Sequence, residues 1–235
     1  MIYSTIEVKT LKEYLSALKT HHPSAISFST QMEYSDTRHC LMYCEDHKDN
    51  PDFPQYSYVF HSKIVSDYYR GYSNLSFKEV FASAKRLLEI ENNYSPVYGV
   101  LINFFNFHGR ICLRDGKKDI HDSDIILRDK YYEKAVAVGD PFAQMEYCEI
   151  LLIEDDTDFQ KLLSRYETLG KIDFKYASVC YGRVGEMYLN GRNGVSKNPT
   201  KAYFYLSEAV RMNPNSPARR WIDKYLEEAK KQIEG

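Results

Sequence analysis

The stretch VGEMYLNGRNGVSKNPTKAYFYLSEA, Val184 to Ala209, carries the features that decide the fold. Its first part has apolar residues at helical spacing up to Gly191, and helical spacing resumes after Asn198 and Pro199. A capping side chain followed by proline at the first helical position is typical of a helix start. The stretch therefore predicts two helices joined by a short glycine-containing loop.

The same loop contains glycines, a lysine and a hydroxyl residue, as phosphate-binding loops do. Such a loop follows an apolar strand and has the order G-x-x-x-x-G-K-[ST]. Here Lys197 lies three residues after Gly194 and follows Ser196, and a helix-period segment precedes the loop. We therefore interpret the glycines as structural. Gly185 would let two helices approach closely, and Gly191 would end the first helix.

Similar start signals occur along the rest of the chain. Ser95-Pro96, Asp140-Pro141 and Ser216-Pro217 repeat the cap-proline pair, whereas Thr10 with Glu13 and Ser76 with Glu79 form capping boxes. Strand-like alternation is scarce, and the best candidate is Ser24 to Thr30. The predicted helices span residues 10–20, 57–70, 76–91, 96–108, 125–138, 141–153, 158–169, 175–190, 199–212 and 217–233.

The later helices show a repeat. Gly139 and Asn213 occupy equivalent places after two similar segments, at a position where a left-handed backbone favours Gly or Asn. They lie 74 residues apart, about twice the period of a helical repeat. A further copy is expected between them, and Leu169-Gly170 followed by Ala177 supplies it imperfectly.

With these motifs the chain resembles the Sel-one-like repeat family, a relative of tetratricopeptide repeats. The family pattern is roughly L-G-x-x-Y-x-x-G-x-G-V-x-x-D-x-x-K-A-x-x-W-x-x-x-A. The corresponding positions are Val184, Gly185, Tyr188, Gly191, Gly194, Val195, Asn198, Lys201, Ala202, Tyr205 and Ala209. The chain departs from the pattern by one inserted loop residue and by Val184, Asn198 and Tyr205, which replace Leu, Asp and Trp. A second copy spans Tyr131 to Leu152, and degenerate copies lie around 57–91 and 96–139.

The resemblance implies a mainly all-α protein, an α-solenoid of antiparallel helical hairpins over residues 57–235. The helix at 217–233 would cap the last repeat. Residues 1–56 lie outside the resemblance, and we expect a non-repeat element there with a helix, a short strand and loops.

Composition narrows the classes of partner. The chain has 235 residues, with 31 basic and 33 acidic side chains and a net charge of −2, so nucleic acid is not an expected partner. The most apolar window, Tyr98 to Phe107, is about half as long as a membrane span. The start of the chain has no secretory signal, and five irregularly spaced cysteines suit reduced thiols. We therefore expect a cytoplasmic protein.

The densest group of potential metal ligands is His39, Cys40, Cys44 and His47. These side chains could bind zinc, but the usual C-x2-C spacing is missing and a free-thiol segment remains the alternative. Cys148 and Cys180 fall at small-residue positions of helices, where packing explains them. We predict no catalytic, cofactor-binding or metal-binding residue and no enzymatic activity.

The resemblance also implies a function, because stacked hairpins present a concave surface that binds proteins. The expected function is a non-catalytic interaction module: an adaptor, a regulator, or an immunity or inhibitor protein, monomeric or weakly self-associating. Two alternatives are a metal-binding or enzymatic element within residues 1–56 and a self-assembling structural protein. The predicted partner-binding residues are Phe104, His108, Glu146, Glu149, Arg183, Glu186 and Asn190.

Overall fold

The computed structural model describes residues 3–28, 42, 46–47, 54–69, 75–91, 94–192, 194–216 and 218–235. Within these ranges it contains ten α-helices and one sheet of two short parallel strands. This helical content confirms the mainly all-α class that the sequence predicts.

The elements are named in chain order. The strands are β1 (Ile6–Val8) and β2 (Ile26–Phe28), and a 3-10 turn covers Pro23–Ala25. The first six helices are α1 (Leu11–Ala17), α2 (Pro54–Tyr69), α3 (Phe77–Ile90), α4 (Val97–Arg114), α5 (Lys118–Ala137) and α6 (Pro141–Leu151). The last four are α7 (Phe159–Gly170), α8 (Ala177–Asn190), α9 (Pro199–Met212) and α10 (Arg219–Glu234).

Each predicted helix has a counterpart, and the larger differences lie at α4 and α5. Helix α4 continues to Arg114 instead of ending near residue 108, and α5 already begins at Lys118. The first turns of α5 read KDIHDSD and have no apolar stripe, so hydrophobic periodicity does not detect them. The strand predicted at 24–30 is β2, and its partner β1 was not predicted.

Most predicted caps are confirmed. The Asp140 carboxylate accepts hydrogen bonds from the backbone N–H groups of Phe142 and Ala143, at 3.0 and 3.3 Å. The capping boxes that begin at Thr10 and Ser76 are both formed. At α9, the side chain of Asn198 accepts from the N–H of Lys201 at 2.9 Å. Local side-chain chemistry therefore positions these helix starts.

Two start signals act differently from the prediction. Pro96 has a helical backbone and stands just before α4, which begins at Val97 without any side-chain cap. Ser216 accepts a hydrogen bond from the N–H of Ala218 at 3.2 Å, but α10 begins only at Arg219.

The proposed equivalence of Gly139 and Asn213 is wrong in backbone conformation. Gly139 has a left-handed φ of 68°, whereas Asn213 has a φ of −144°. Asn213 directly precedes Pro214, and a residue before proline is driven towards extended backbone. Proline therefore overrides the left-handed preference at the end of α9.

The chain forms two compact units, Met1–Tyr147 and Cys148–Gly235, so the division falls within α6. In the first unit α4 and α5 form an antiparallel pair, in which the rings of Phe105 and Tyr131 stack at 5.8 Å. The N-terminal segment belongs to the same unit, because His22 stacks on Phe142 at 4.2 Å. Its described part is therefore packed against helical residues rather than separate from them.

The second unit contains the hairpin of α8 and α9. The helices approach closely at Gly185, where an added Cβ would lie 2.5 Å from Leu206 Cγ. Gly191 ends α8 with a left-handed φ of 64°, as predicted. Helix α10 packs on this hairpin and contributes Ile222 to a core that also contains Leu206.

Candidate functional site

The second unit has an open groove with a volume of about 710 Å³. Its apolar lining comes from Leu152, Ile153 and Phe159, between the end of α6 and the start of α7. Its charged lining consists of Glu149, Glu154, Asp155, Arg183, Glu186 and Arg192. Four carboxylates and two guanidinium groups leave this lining with a formal charge of −2.

Arg183, on α8, organises the charged part of the groove. Its guanidinium donates two hydrogen bonds to the Glu149 carboxylate, at 3.0 and 2.7 Å, and a third to Glu186 at 2.9 Å. Its charge also lies 5.0 Å from the ring centre of Trp221. Burial lowers the pKa of Arg183, but the hydrogen bonds that its guanidinium donates to the two carboxylates outweigh burial and raise the pKa. The guanidinium therefore stays charged, and its hydrogen bonds hold the cluster in one geometry.

Two tyrosine hydroxyl groups also donate hydrogen bonds to these carboxylates. Tyr166 donates to Glu149 at 2.8 Å, and Tyr225 donates to Glu186 at 3.2 Å. Burial, followed by the negative charge of Glu149, raises the pKa of Tyr166 far above its usual value. Both phenols therefore stay protonated and remain donors at any physiological pH.

Arg192 lies at another part of the groove, in the loop after α8. Its guanidinium donates to the carbonyl of Leu152 at 3.5 Å and lies 5.4 Å from the ring centre of Phe159. These contacts are longer and fewer than those of Arg183, so Arg192 is held less firmly.

The structure brings together three of the residues predicted to bind a partner: Glu149, Arg183 and Glu186. Asn190 is exposed at the end of α8 and does not line the groove. Glu146 belongs to the first unit, where it accepts a hydrogen bond from Asn103 at 2.9 Å. 

The other two predicted residues, Phe104 and His108, lie on α4 in the first unit. Phe104 is 1% exposed because it packs in an aromatic cluster with Phe77 and Phe81, so it offers no surface to a partner. The ring of His108 stacks on Phe77 at 4.8 Å. Its nitrogens face a thiol and a carboxylate and not an open surface.

These groups form a second polar cluster, with His108 and Cys112 on α4 and Asp124 on α5. His108 Nδ1 lies 2.7 Å from Asp124 Oδ2, and His108 Nε2 lies 3.4 Å from Cys112 Sγ. Burial raises the pKa of the Asp124 carboxyl and that of the Cys112 thiol. The i, i+4 spacing of His108 and Cys112 was a signal in the sequence, but Asp124 lies in the part of α5 that sequence periodicity missed.

The predicted zinc candidates cannot be compared in the same way. His39, Cys40 and Cys44 lie outside the described residues, and His47 alone of that group lies within them. Cys148 and Cys180 are fully buried free thiols, in agreement with the packing role expected for them.

Among the described helices, none combines the length and apolar character that a membrane span requires. No protein-family model, no curated protein and no solved structure matches this chain.

Proposed function

We propose that the protein is a non-catalytic interaction module that binds a segment of a protein partner in the groove around Arg183. The observation that carries this proposal is the meeting of Glu149, Arg183 and Glu186 in one open groove. All three were expected at a binding surface from the repeat register alone.

Preorganisation supports the proposal. Arg183, Glu149 and Glu186 already hold one another through short charge-assisted hydrogen bonds. A partner would therefore meet side chains whose rotamers are fixed, and less conformational entropy would be lost on binding. The ion-pair cluster is thus suited to orientation and specificity in a complex.

The charge and shape of the groove suggest the chemistry of the segment. The surplus of carboxylates favours a segment that carries Lys or Arg, and these carboxylates include the exposed Asp155. Apolar side chains of the same segment would cover Ile153, which is 66% exposed. We therefore propose a partner that presents a basic segment with one or two apolar residues.

The repeat architecture and the cytoplasmic adaptor role are also part of this proposal. The α8–α9 hairpin has the helix–loop–helix form of a Sel-one-like repeat, and we propose that it is one unit of an α-solenoid. A cytoplasmic adaptor, regulator or inhibitor suits this architecture. Self-assembly and an element within residues 1–56 remain the alternatives that an experiment must separate from it.

The test is affinity capture from native-host lysate with the wild-type chain and two charge-reversed variants. The groove variant is Glu154→Lys with Asp155→Lys, which leaves the Arg183 cluster intact. The matched control is Glu227→Lys with Glu228→Lys, an equal charge change on exposed residues of α10. Far-UV circular dichroism checks that each variant folds, and static light scattering measures its mass.

The proposal expects a partner that the wild type and the control capture and the groove variant loses. Its affinity should also fall with added salt, because the recognition is electrostatic. A partner that both variants retain would overturn the groove assignment. A mass of several chains that the groove variant does not change, with no partner captured, would favour self-assembly instead.

A further inference from the structure

We propose that His108, Cys112 and Asp124 form a binding site for a divalent metal ion of the zinc class. The site lies within the first unit and does not depend on the groove of the second unit. It is also separate in sequence from the group at residues 39–47.

Two neighbouring helices bring the three ligand types together. His108 and Cys112 are four residues apart on α4, so their side chains project from the same face. Asp124 comes from the second turn of α5, which runs antiparallel beside α4. One ligand atom from each side chain lies within 4.8 Å of the others.

These separations are close to those that a metal ion needs. Two ligands on a tetrahedral zinc ion, at bond lengths of about 2.0–2.3 Å, lie about 3.3–3.6 Å apart. Cys112 Sγ and His108 Nε2 are already 3.4 Å apart. One ion binds a single ring nitrogen of His108. Asp124 faces Nδ1 whereas Cys112 faces Nε2, so a side-chain rotation is needed before all three ligands meet at one ion.

Unused hydrogen-bonding capacity is the second observation. His108 Nδ1 and Asp124 Oδ2 are both shielded from solvent, and neither has a hydrogen-bond partner. The two atoms lie 2.7 Å apart but are not aligned as donor and acceptor. The contact is an ion pair without an aligned hydrogen bond, so a metal ion that binds one atom of each side chain would replace it.

The surroundings hold the ligands in place. The ring of His108 is stacked on Phe77, and the whole Asp124 residue is only 5% exposed. At Gly109, between the two ligands of α4, an added Cβ would lie 3.2 Å from Asp124 Cβ, so glycine permits the close approach of α5. His121 donates from Nδ1 to the Gly109 carbonyl at 2.9 Å and fastens the two helices at the same level.

The donor set selects the kind of ion. A thiolate and an imidazole favour zinc or cobalt over magnesium and calcium, which prefer oxygen ligands. Three protein ligands leave a fourth position for water or another ligand. Binding requires the Cys112 thiolate, so the thiol proton is released to solvent as the metal–sulfur bond forms.

The same three residues also have the order of a thiol–imidazole–carboxylate triad. A nucleophilic thiol has to reach a substrate and needs a lowered pKa. Cys112 is only 4% exposed, so a substrate cannot reach its thiol, and the geometry favours metal binding over nucleophilic catalysis.

The test is a titration of the full-length, chelator-treated protein with Co²⁺, followed by displacement with Zn²⁺. Cobalt bound to a thiolate gives a charge-transfer absorption in the near ultraviolet, and four-coordinate cobalt absorbs strongly in the visible. The proposal expects both signals in the wild type, together with a rise in melting temperature. Cys112→Ala should abolish the thiolate band, and Asp124→Asn should weaken cobalt affinity at least about tenfold.

Two controls separate this site from other thiols. Cys148→Ala removes a buried thiol of the second unit and should leave the band unchanged. Cys40→Ala with Cys44→Ala tests the other candidate group and should also leave the Cys112-dependent band.

A wild type without cobalt absorption overturns the proposal. So does a band that persists in Cys112→Ala, or one that disappears only in the Cys40 and Cys44 variant. Far-UV circular dichroism accompanies every variant. If Cys112→Ala fails to fold, Asp124→Asn and His108→Asn decide through cobalt affinity, and an unchanged affinity in both overturns the site.

Discussion

Replacing Gly185 with alanine tests whether α8 and α9 are in contact through their backbones. A Cβ added at Gly185 would lie 2.5 Å from Leu206 Cγ and 3.1 Å from the carbonyl oxygen of Ala202. Nonbonded carbon atoms normally lie about 3.5–4.0 Å apart, so Leu206 would have to retreat by about 1 Å. Leu206 has no free space for this movement, because it is fully buried in the core of the second unit.

Two opposing effects set the size of the change. Alanine in a helix interior is favoured over glycine by about 1 kcal/mol. Overpacking of a well-packed core costs about 1–3 kcal/mol. The contact involves a backbone carbonyl as well as a side chain, so we expect the cost to prevail and Gly185→Ala to lower the free energy of unfolding by about 1–2 kcal/mol.

The chain provides its own matched control at Gly99, near the start of α4. A Cβ there would meet Ala143 Cα at 3.6 Å, an ordinary van der Waals distance. Gly99→Ala should therefore be neutral or stabilising by up to about 1 kcal/mol. The two substitutions are chemically identical and differ only in the space that receives the methyl group.

Urea unfolding measures both variants, with two signals. The single tryptophan, Trp221, lies against Gly182 in the second unit, so its fluorescence reports the unfolding of the unit that contains Gly185. Far-UV circular dichroism reports the unfolding of the helices, including α4. An unchanged or increased stability of Gly185→Ala by fluorescence would refute the close helix contact, and so would an equal loss in Gly99→Ala.

Three further predictions concern single side chains. Burial lowers the pKa of His22 to about 3 from 6.5, so its contribution to stability is present above pH 6.5 and is lost as the pH falls towards 3. Wild type should therefore lose about 2 kcal/mol of unfolding free energy between pH 7 and pH 5 that His22→Phe does not lose. Urea unfolding of both proteins at pH 7 and at pH 5 measures this difference. Asp140 lies 3.9 Å from His22, and burial raises its pKa to about 6. Its contribution to stability is present below pH 3.8 and is lost as the pH rises through 6, which is the opposite pH dependence. Because Asp140 is present in both proteins, the comparison with His22→Phe isolates the histidine. An equal pH dependence of the two proteins would contradict the buried neutral histidine. Gly191→Ala should destabilise the second unit by about 1–2 kcal/mol because its φ of 64° is left-handed, and unchanged tryptophan fluorescence unfolding would rule this out. Asn198→Ala should cost about 1 kcal/mol through the loss of the α9 cap, whereas Asn198→Ser should retain most of the stability.

Helix positions were predictable because their signals are local. The hydrogen bonds of Asp140 and Asn198 to the first turns of α6 and α9 involve residues two or three positions apart. The start of α5 was not predictable in this way. Its first turns are polar, and they are placed by contacts with α4 such as the bond from His121 to the Gly109 carbonyl. Long-range contacts of this kind leave no periodic pattern in the sequence.

The candidate groove was predictable only in part for the same reason. Glu149, Arg183 and Glu186 followed from equivalent positions in neighbouring helices. Tyr166 and Trp221, which complete the cluster, come from other helices and meet it only in the folded unit. The strand β1 was missed because three residues, Ile6–Val8, are too few to establish an alternation.

The two polar clusters differ in whether their polar atoms have hydrogen-bond partners. Arg183 directs three nitrogen atoms to carboxylates, so its cluster is complete without a ligand and acts as a fixed surface feature. His108 and Asp124 instead bring two unsatisfied atoms to 2.7 Å, next to a thiol. Because an unmet buried hydrogen-bonding group is costly, selection for stability alone would favour an apolar or fully bonded replacement at these positions. A bound ion would supply the missing interaction. The two clusters therefore predict different responses to alanine substitution. Loss of Arg183 leaves the Glu149 and Glu186 carboxylates without their cation and should destabilise the second unit. The cost of losing Asp124 should instead be larger in metal-loaded than in metal-free protein.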